Sequence, residues 1–187
     1  EKERYHNEII GYHGSEEGLE TLLGYQLFSI GNRADSAALV YQVDYVLDGY
    51  VKKAGTNFVL SVGRLIGSQP ELKGEQRLRK EDIYWEMPRC YQWDITVNLP
   101  EGYRISPEGL ERLNVKVEND CGAFIVQATT EDGTLRIKAE KRINHKTEPV
   151  ANWEKLLEIT DAANSYEALS IVFQATINPP TSPTTGY

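Results

Sequence analysis

Tyr91-Gln-Trp-Asp-Ile-Thr-Val-Asn-Leu99 alternates apolar and polar residues without a break. Tyr91, Trp93, Ile95, Val97 and Leu99 fall on one side, and Gln92, Asp94, Thr96 and Asn98 on the other. Successive side chains of a strand point to opposite faces, so this stretch is a strand with one face for a second layer and one for water. Pro100-Glu101-Gly102 closes it as a turn.

The same period recurs on both sides. Downstream, Leu113, Val115 and Val117 alternate with polar residues, Asn119-Asp120 turns the chain, and Phe124, Val126 and Ala128 alternate again. Asp132-Gly133 then separates that run from Leu135, Ile137 and Ala139, the sequence signature of a tight hairpin. Upstream, Leu39 to Leu47 is a second clean strand, Leu19 to Ile30 a third, and Asn57 to Val62 a fourth. Tyr50 to Gly55 reads as a helical turn capped by glycine. Gly63 to Lys80, rich in glycine and charge, reads as a surface loop; it lacks the Lys-Ser/Thr of a phosphate loop. Met87-Pro88 leads into the 91–99 strand.

Pro149 stops the strands, and Asn152 is placed to cap a helix. Trp153, Leu156, Leu157, Thr160 and Ala163 follow at helical spacing. Ile171 to Phe173 returns to strand. The pattern predicts a mainly β chain: a two-layer antiparallel β-sandwich with one C-terminal helix docked on it. The expected organisation is residues 1–18 as the end of a helix and linker from an upstream region, 19–177 as the sandwich, and 178–187, proline- and threonine-rich, as a loose tail.

The chain has 187 residues, enough for one domain that buries roughly two-thirds of its unfolded surface. Its 28 acidic and 20 basic residues leave a net charge of −8, which opposes phosphate backbones and anionic lipid. Nucleic acid and membrane surfaces are therefore not expected partners. No apolar run approaches the roughly 18 residues of a membrane span, and no stretch of this chain is expected to act as a signal peptide.

Catalytic chemistry is hard to find. The thiols are Cys90 and Cys121, and the histidines His6, His13 and His145. Asp120 precedes Cys121, and a neighbouring carboxylate raises a thiol's pKa, the wrong direction for a nucleophile. Two cysteines make no disulfide framework, and the expectation is two unpaired thiols, one of them buried. No His-Glu-x-x-His or paired Cys-x-x-Cys provides a metal site. No cofactor is expected. Eleven tyrosines and three tryptophans could line a peptide or sugar platform, but Trp93 and Trp153 lie on apolar faces and read as core. Trp85, beside Tyr84, reads as partly exposed.

Several stretches together carry a resemblance: Gly63-Arg-Leu-Ile-Gly-Ser-Gln69, Arg79-Lys-Glu-Asp-Ile-Tyr84 through Pro88-Arg89, Leu99-Pro-Glu-Gly-Tyr103, Gly109-Leu-Glu-Arg-Leu-Asn114, Val117-Glu-Asn119 with Gly122-Ala-Phe124, and Pro149-Val-Ala-Asn-Trp153 with Asp161-Ala-Ala163. In that order they resemble the C-terminal β domain, of unknown function, of secreted bacterial proteins with a transglutaminase-like core. The resemblance covers roughly residues 20–175. It implies an exported protein, periplasmic or extracellular, whose cysteine–histidine–aspartate machinery lies in an upstream domain. Arg89-Cys90-Tyr91-Gln92-Trp93 is not the Gly-x-Cys-Trp motif of that machinery, so no catalytic residue carries over.

The expected function is a non-catalytic accessory domain that positions or stabilises its own upstream catalytic domain. The alternative is a peptide- or glycan-binding module. A third, a self-sufficient thiol enzyme, needs a thiol at Cys90 or Cys121 more reactive than a free one. The expected docking face lies in residues 63–85: Arg64, Leu65, Ile66, Leu72 and Arg79, with Trp85 as its apolar anchor. Long irregular loops in compact domains usually serve function, and intrachain domain interfaces are moderately polar.

Overall fold

The structure, a computed structural model, describes residues 19–32 and 37–176. The expected N-terminal linker and C-terminal tail lie outside the described residues. The chain divides into two compact units, residues 1–51 and 52–187.

In the first unit, β1 (Leu19–Asn32) and β2 (Ala37–Leu47) form an antiparallel ribbon. Its register shifts between Leu19/Thr21, Leu22/Gly24 and Leu27/Ser29. Such bulges coil a ribbon and strengthen its twist.

The second unit is built on antiparallel sheets with one long helix packed on them, consistent with the β-sandwich expected from the strand pattern. Its main sheet has the order β6-β10-β9-β8, from β6 (Arg89–Asn98), β8 (Val115–Asn119), β9 (Gly122–Glu131) and β10 (Thr134–Ile143). The β9–β10 hairpin turns at Asp132 and Gly133, whose φ values of 48° and 72° are the left-handed pair a two-residue hairpin turn requires. Its register then runs unbroken from Thr134↔Glu131 to Ile143↔Gly122. A second sheet has the order β3-β4-β12-β7, from β3 (Val51–Ala54), β4 (Asn57–Leu60), β7 (Tyr103–Arg104) and β12 (Ile171–Ala175). A two-stranded piece pairs β5 (Ile83–Tyr84) with β11 (Thr147–Glu148). The helical turn expected at Tyr50–Gly55 is strand β3 instead, because Gly55-Thr56 makes the turn to β4 and the two strands pair.

The helix Trp153–Glu167 packs on β8, β9 and a 3-10 turn at Val62–Ile66. Its buried row is Leu156, Leu157, Ile159, Ala163 and Tyr166. Opposite lie the inward residues of the sheet, Phe124, Val126, Leu135 and Ile137, all buried. Phe124 and Tyr166 meet edge to face at 5.8 Å, a favoured aromatic geometry. A short helix, Pro107–Glu111, is capped by Ser106, whose hydroxyl accepts from the Gly109 N–H.

β6 defines the pattern but does not sit at the centre. It is the sheet's edge, so Trp93, Ile95 and Val97 are only half-buried, while Leu135, Ile137 and Ala139 next to them on β10 are buried.

The Tyr166 hydroxyl is buried without a hydrogen-bond partner among the described residues, and burial pushes its pKa up to about 12. An unsatisfied buried hydroxyl is a cost, so Tyr166→Phe is expected to stabilise the domain by about 1 kcal/mol. A rise in the urea midpoint at unchanged slope checks this; a fall would mean the hydroxyl is satisfied.

Candidate functional site

The segment expected to form an open docking face is strapped to the helix. Arg64 and Leu65 are half-buried, and Ile66 is core, only 2% exposed. Val62 and Ile66 both turn inward against the helix, a spacing of four that the glycines and charges around them obscure. Leu72 is half-buried and Arg79 exposed, its guanidinium 5.5 Å from the centre of the Trp153 ring. Trp85 is half-buried and packs on Ile83, Cys121 and Leu156 of its own domain. Between these, Arg77 grips Asp161 with two bonds of 2.8 and 2.7 Å, and its carbonyl accepts from the Trp153 indole at 2.8 Å. The bond to Arg77 holds the Asp161 carboxyl below its ordinary value. Further along, the Gln69 N–H donates to Glu167. Of the six residues, then, Arg79 alone is openly exposed.

The cluster that sequence reasoning missed centres on Glu148, 2% exposed at the end of β11. Its carboxylate takes His145 Nδ1 at 2.5 Å and Asn152 Nδ2 at 2.8 Å, and its charge reaches the buried Cys121 thiol. Burial pushes this carboxyl up, but its bonds to His145 and Asn152 outweigh burial and hold it below its ordinary value. Asn152, expected as the helix cap, spends its side chain here and makes no capping bond. The one available signal was a glutamate before Pro149 with a histidine three residues back and an asparagine four ahead.

The cluster ties the Asp120-Cys121 turn, β11 and the start of the helix together. The Cys121 thiol is fully buried, and burial, followed by the charge of Glu148, pushes its pKa up. A nucleophile needs the opposite shift and access. Cys90 is exposed at the start of β6, and both thiols are free. Among the described residues no group of three or more His, Cys, Asp or Glu is arranged to hold a metal ion, and no helix is long and apolar enough to cross a membrane.

Two surfaces remain. On the polar side of the main sheet, Gln92, Asp94, Gln127, Lys138 and Glu140 surround a concavity of about 440 Å³ floored by Ile125. Gln92 donates to Glu140 at 3.0 Å and Arg142 reaches the same carboxylate at 2.9 Å. On the β1–β2 ribbon, Leu23 is 66% and Phe28 58% exposed, with Leu39, Val40 and Val46 also open.

One family model matches residues 62–173, more than half of the chain; its description is Domain of Unknown Function with solved-structure structure (DUF3858). Comparison with curated proteins and with solved structures found no match.

Proposed function

Since the chain belongs to DUF3858, a family of unknown function, we propose a role from its surfaces: a non-catalytic interaction domain that docks on and positions a transglutaminase- or cysteine-protease-like core in the same exported protein. The observation that carries this is the β1–β2 ribbon. A two-stranded ribbon is marginal by itself in water, and one that leaves Leu23, Phe28, Leu39 and Val46 open needs a surface to bury them. The state of Cys121 agrees with this reading, because burial and the charge of Glu148 raise the pKa of that thiol. The docking interface draws on the ribbon.

The test is calorimetric titration of the purified core with this chain. Binding, accompanied by a higher unfolding temperature of the core, is the expected result. Leu23→Asp with Phe28→Asp is expected to weaken binding at least tenfold, as about 1.5 kcal/mol or more of apolar burial per side chain predicts. Neither binding nor a shift in core stability would sink the reading.

The concavity on the main sheet favours a second reading, a binding module for a short peptide or glycan. Its amides and carboxylates suit hydroxyl and amide groups, with Lys138 as a fixed cation. A glycan and peptide panel decides it: binding that Asp94→Asn with Lys138→Met removes supports it, and a blank panel discards it.

A further inference from the structure

The inward row of the main sheet is sealed on β9 and β10 and opens at β6. Tyr91 is 48% exposed and stacks on Trp93 at 6.0 Å between ring centres. Among the described residues β6 pairs with β10 alone. Its other edge therefore presents the N–H and C=O groups of alternate residues along a ten-residue strand. Natural edges of this length are usually blunted by a proline, a lysine or a bulge. β6 has no proline, lysine or bulge; its charges are Arg89 at its start and Asp94 on its polar face, so the inward face of the edge carries none beyond its first residue.

Lys141 lies on the same inward row, in register with Tyr91 on one side and Phe124 on the other. It is half-buried, and burial pushes its pKa down. Its one hydrogen bond among the described residues goes to Gln69 Oε1 at 2.9 Å, an uncharged partner. A cation on the apolar side of a sheet, with no ion-pair partner among the described residues and one strand in from an open edge, is complementary to a carboxylate arriving with a new strand.

We propose that β6 is the docking edge for an extended segment of a partner protein, one that carries a carboxylate flanked at alternate positions by apolar residues. Backbone bonds along β6 supply the pairing, as in other strand additions. The apolar residues cover Tyr91 and Trp93, and the carboxylate meets Lys141. The new strand would lie two inter-strand spacings, roughly 10 Å, from β10, which a lysine and a glutamate leaning together can bridge. This edge is distinct from the ribbon, and the inference does not rest on the transglutaminase-like reading.

The probe is a fluorescent, end-blocked heptapeptide, Thr-Val-Thr-Glu-Thr-Val-Thr, compared by anisotropy with the same peptide carrying Gln at its centre. The Glu peptide is expected to bind at least fivefold tighter than the Gln peptide, and to slow amide exchange along β6. Lys141→Met is expected to erase that preference while its thermal midpoint stays level or rises. Equal affinities, a preference that survives Lys141→Met, or no binding of either peptide at millimolar concentration would overturn the proposal. So would a dimer in light scattering that the Glu peptide does not dissociate, which would assign the edge to a second copy of the chain.

Discussion

Gly63→Ala is expected to destabilise the 52–176 unit by about 4 kcal/mol or more, a large fraction of what a domain of this size has. A Cβ at this position would sit 1.9 Å from the Tyr166 carbonyl oxygen and 2.5 Å from that of Glu167. Those are backbone atoms at the end of the long helix, so no rotamer change relieves the overlap. Gly63 also donates its N–H to Leu169 at 3.0 Å. The close approach locks the 3-10 turn to the helix and brings Val62 and Ile66 into the core. Pushing the two apart would open that contact along its whole length. Gly109→Ala is the control: its nearest neighbour is the Ser106 hydroxyl at 3.2 Å, and its change should stay within about 1 kcal/mol. Urea unfolding followed by tryptophan fluorescence measures both. A Gly63→Ala midpoint equal to wild type would mean that the turn and the helix end do not touch.

Glu148→Ala is expected to cost about 3 kcal/mol, because it removes the buried carboxylate that His145 and Asn152 both bond. The pH dependence has a fixed sign. The fold holds this carboxyl below its ordinary value, so its contribution is complete above the unfolded pKa, about 4.3, and is lost as pH falls through the lower folded value. Asp161 beside Arg77 and Asp120 beside Lys155 are shifted in the same direction, so some acid sensitivity remains in any Glu148 variant. The measurement is therefore a difference: the stability gap between wild type and Glu148→Gln should narrow as pH falls toward about 3. A gap that stayed constant from neutral to acid pH would show that the Glu148 charge contributes nothing.

The sheet strands and the long helix were legible because each carries its own period. Tyr91–Leu99, Phe124–Ala128 and Leu135–Ala139 repeat every second residue, and Trp153–Ala163 follows a helical stripe, so each announces its type without reference to the rest of the chain. Asp132-Gly133 was legible for the same reason: a left-handed pair is a local demand that few residues meet. The candidate site was far less legible. Ile66 was expected on the docking face and the structure buries it, while Trp85, expected partly exposed, is half-buried and packs on Ile83, Cys121 and Leu156. The Glu148 cluster left only a weak signal, a glutamate before Pro149 with His145 three residues back and Asn152 four ahead.

By itself the sequence determined element type, the β9–β10 turn, the helix and the mainly β class, all properties of residues within about a dozen positions of one another. Tertiary structure decided the rest, down to Val51–Ala54, which is held as a strand in a sheet that the distant β12 completes instead of coiling. It alone placed β6 at an edge, leaving its apolar row half-covered. It alone brought Arg77 to Asp161 across 84 residues, and Cys121 to Glu148 between a turn and a two-residue strand. Periodicity gives the direction in which a side chain points. Whether something is there to meet it depends on segments far away in the chain, and these carry no mark of their partners.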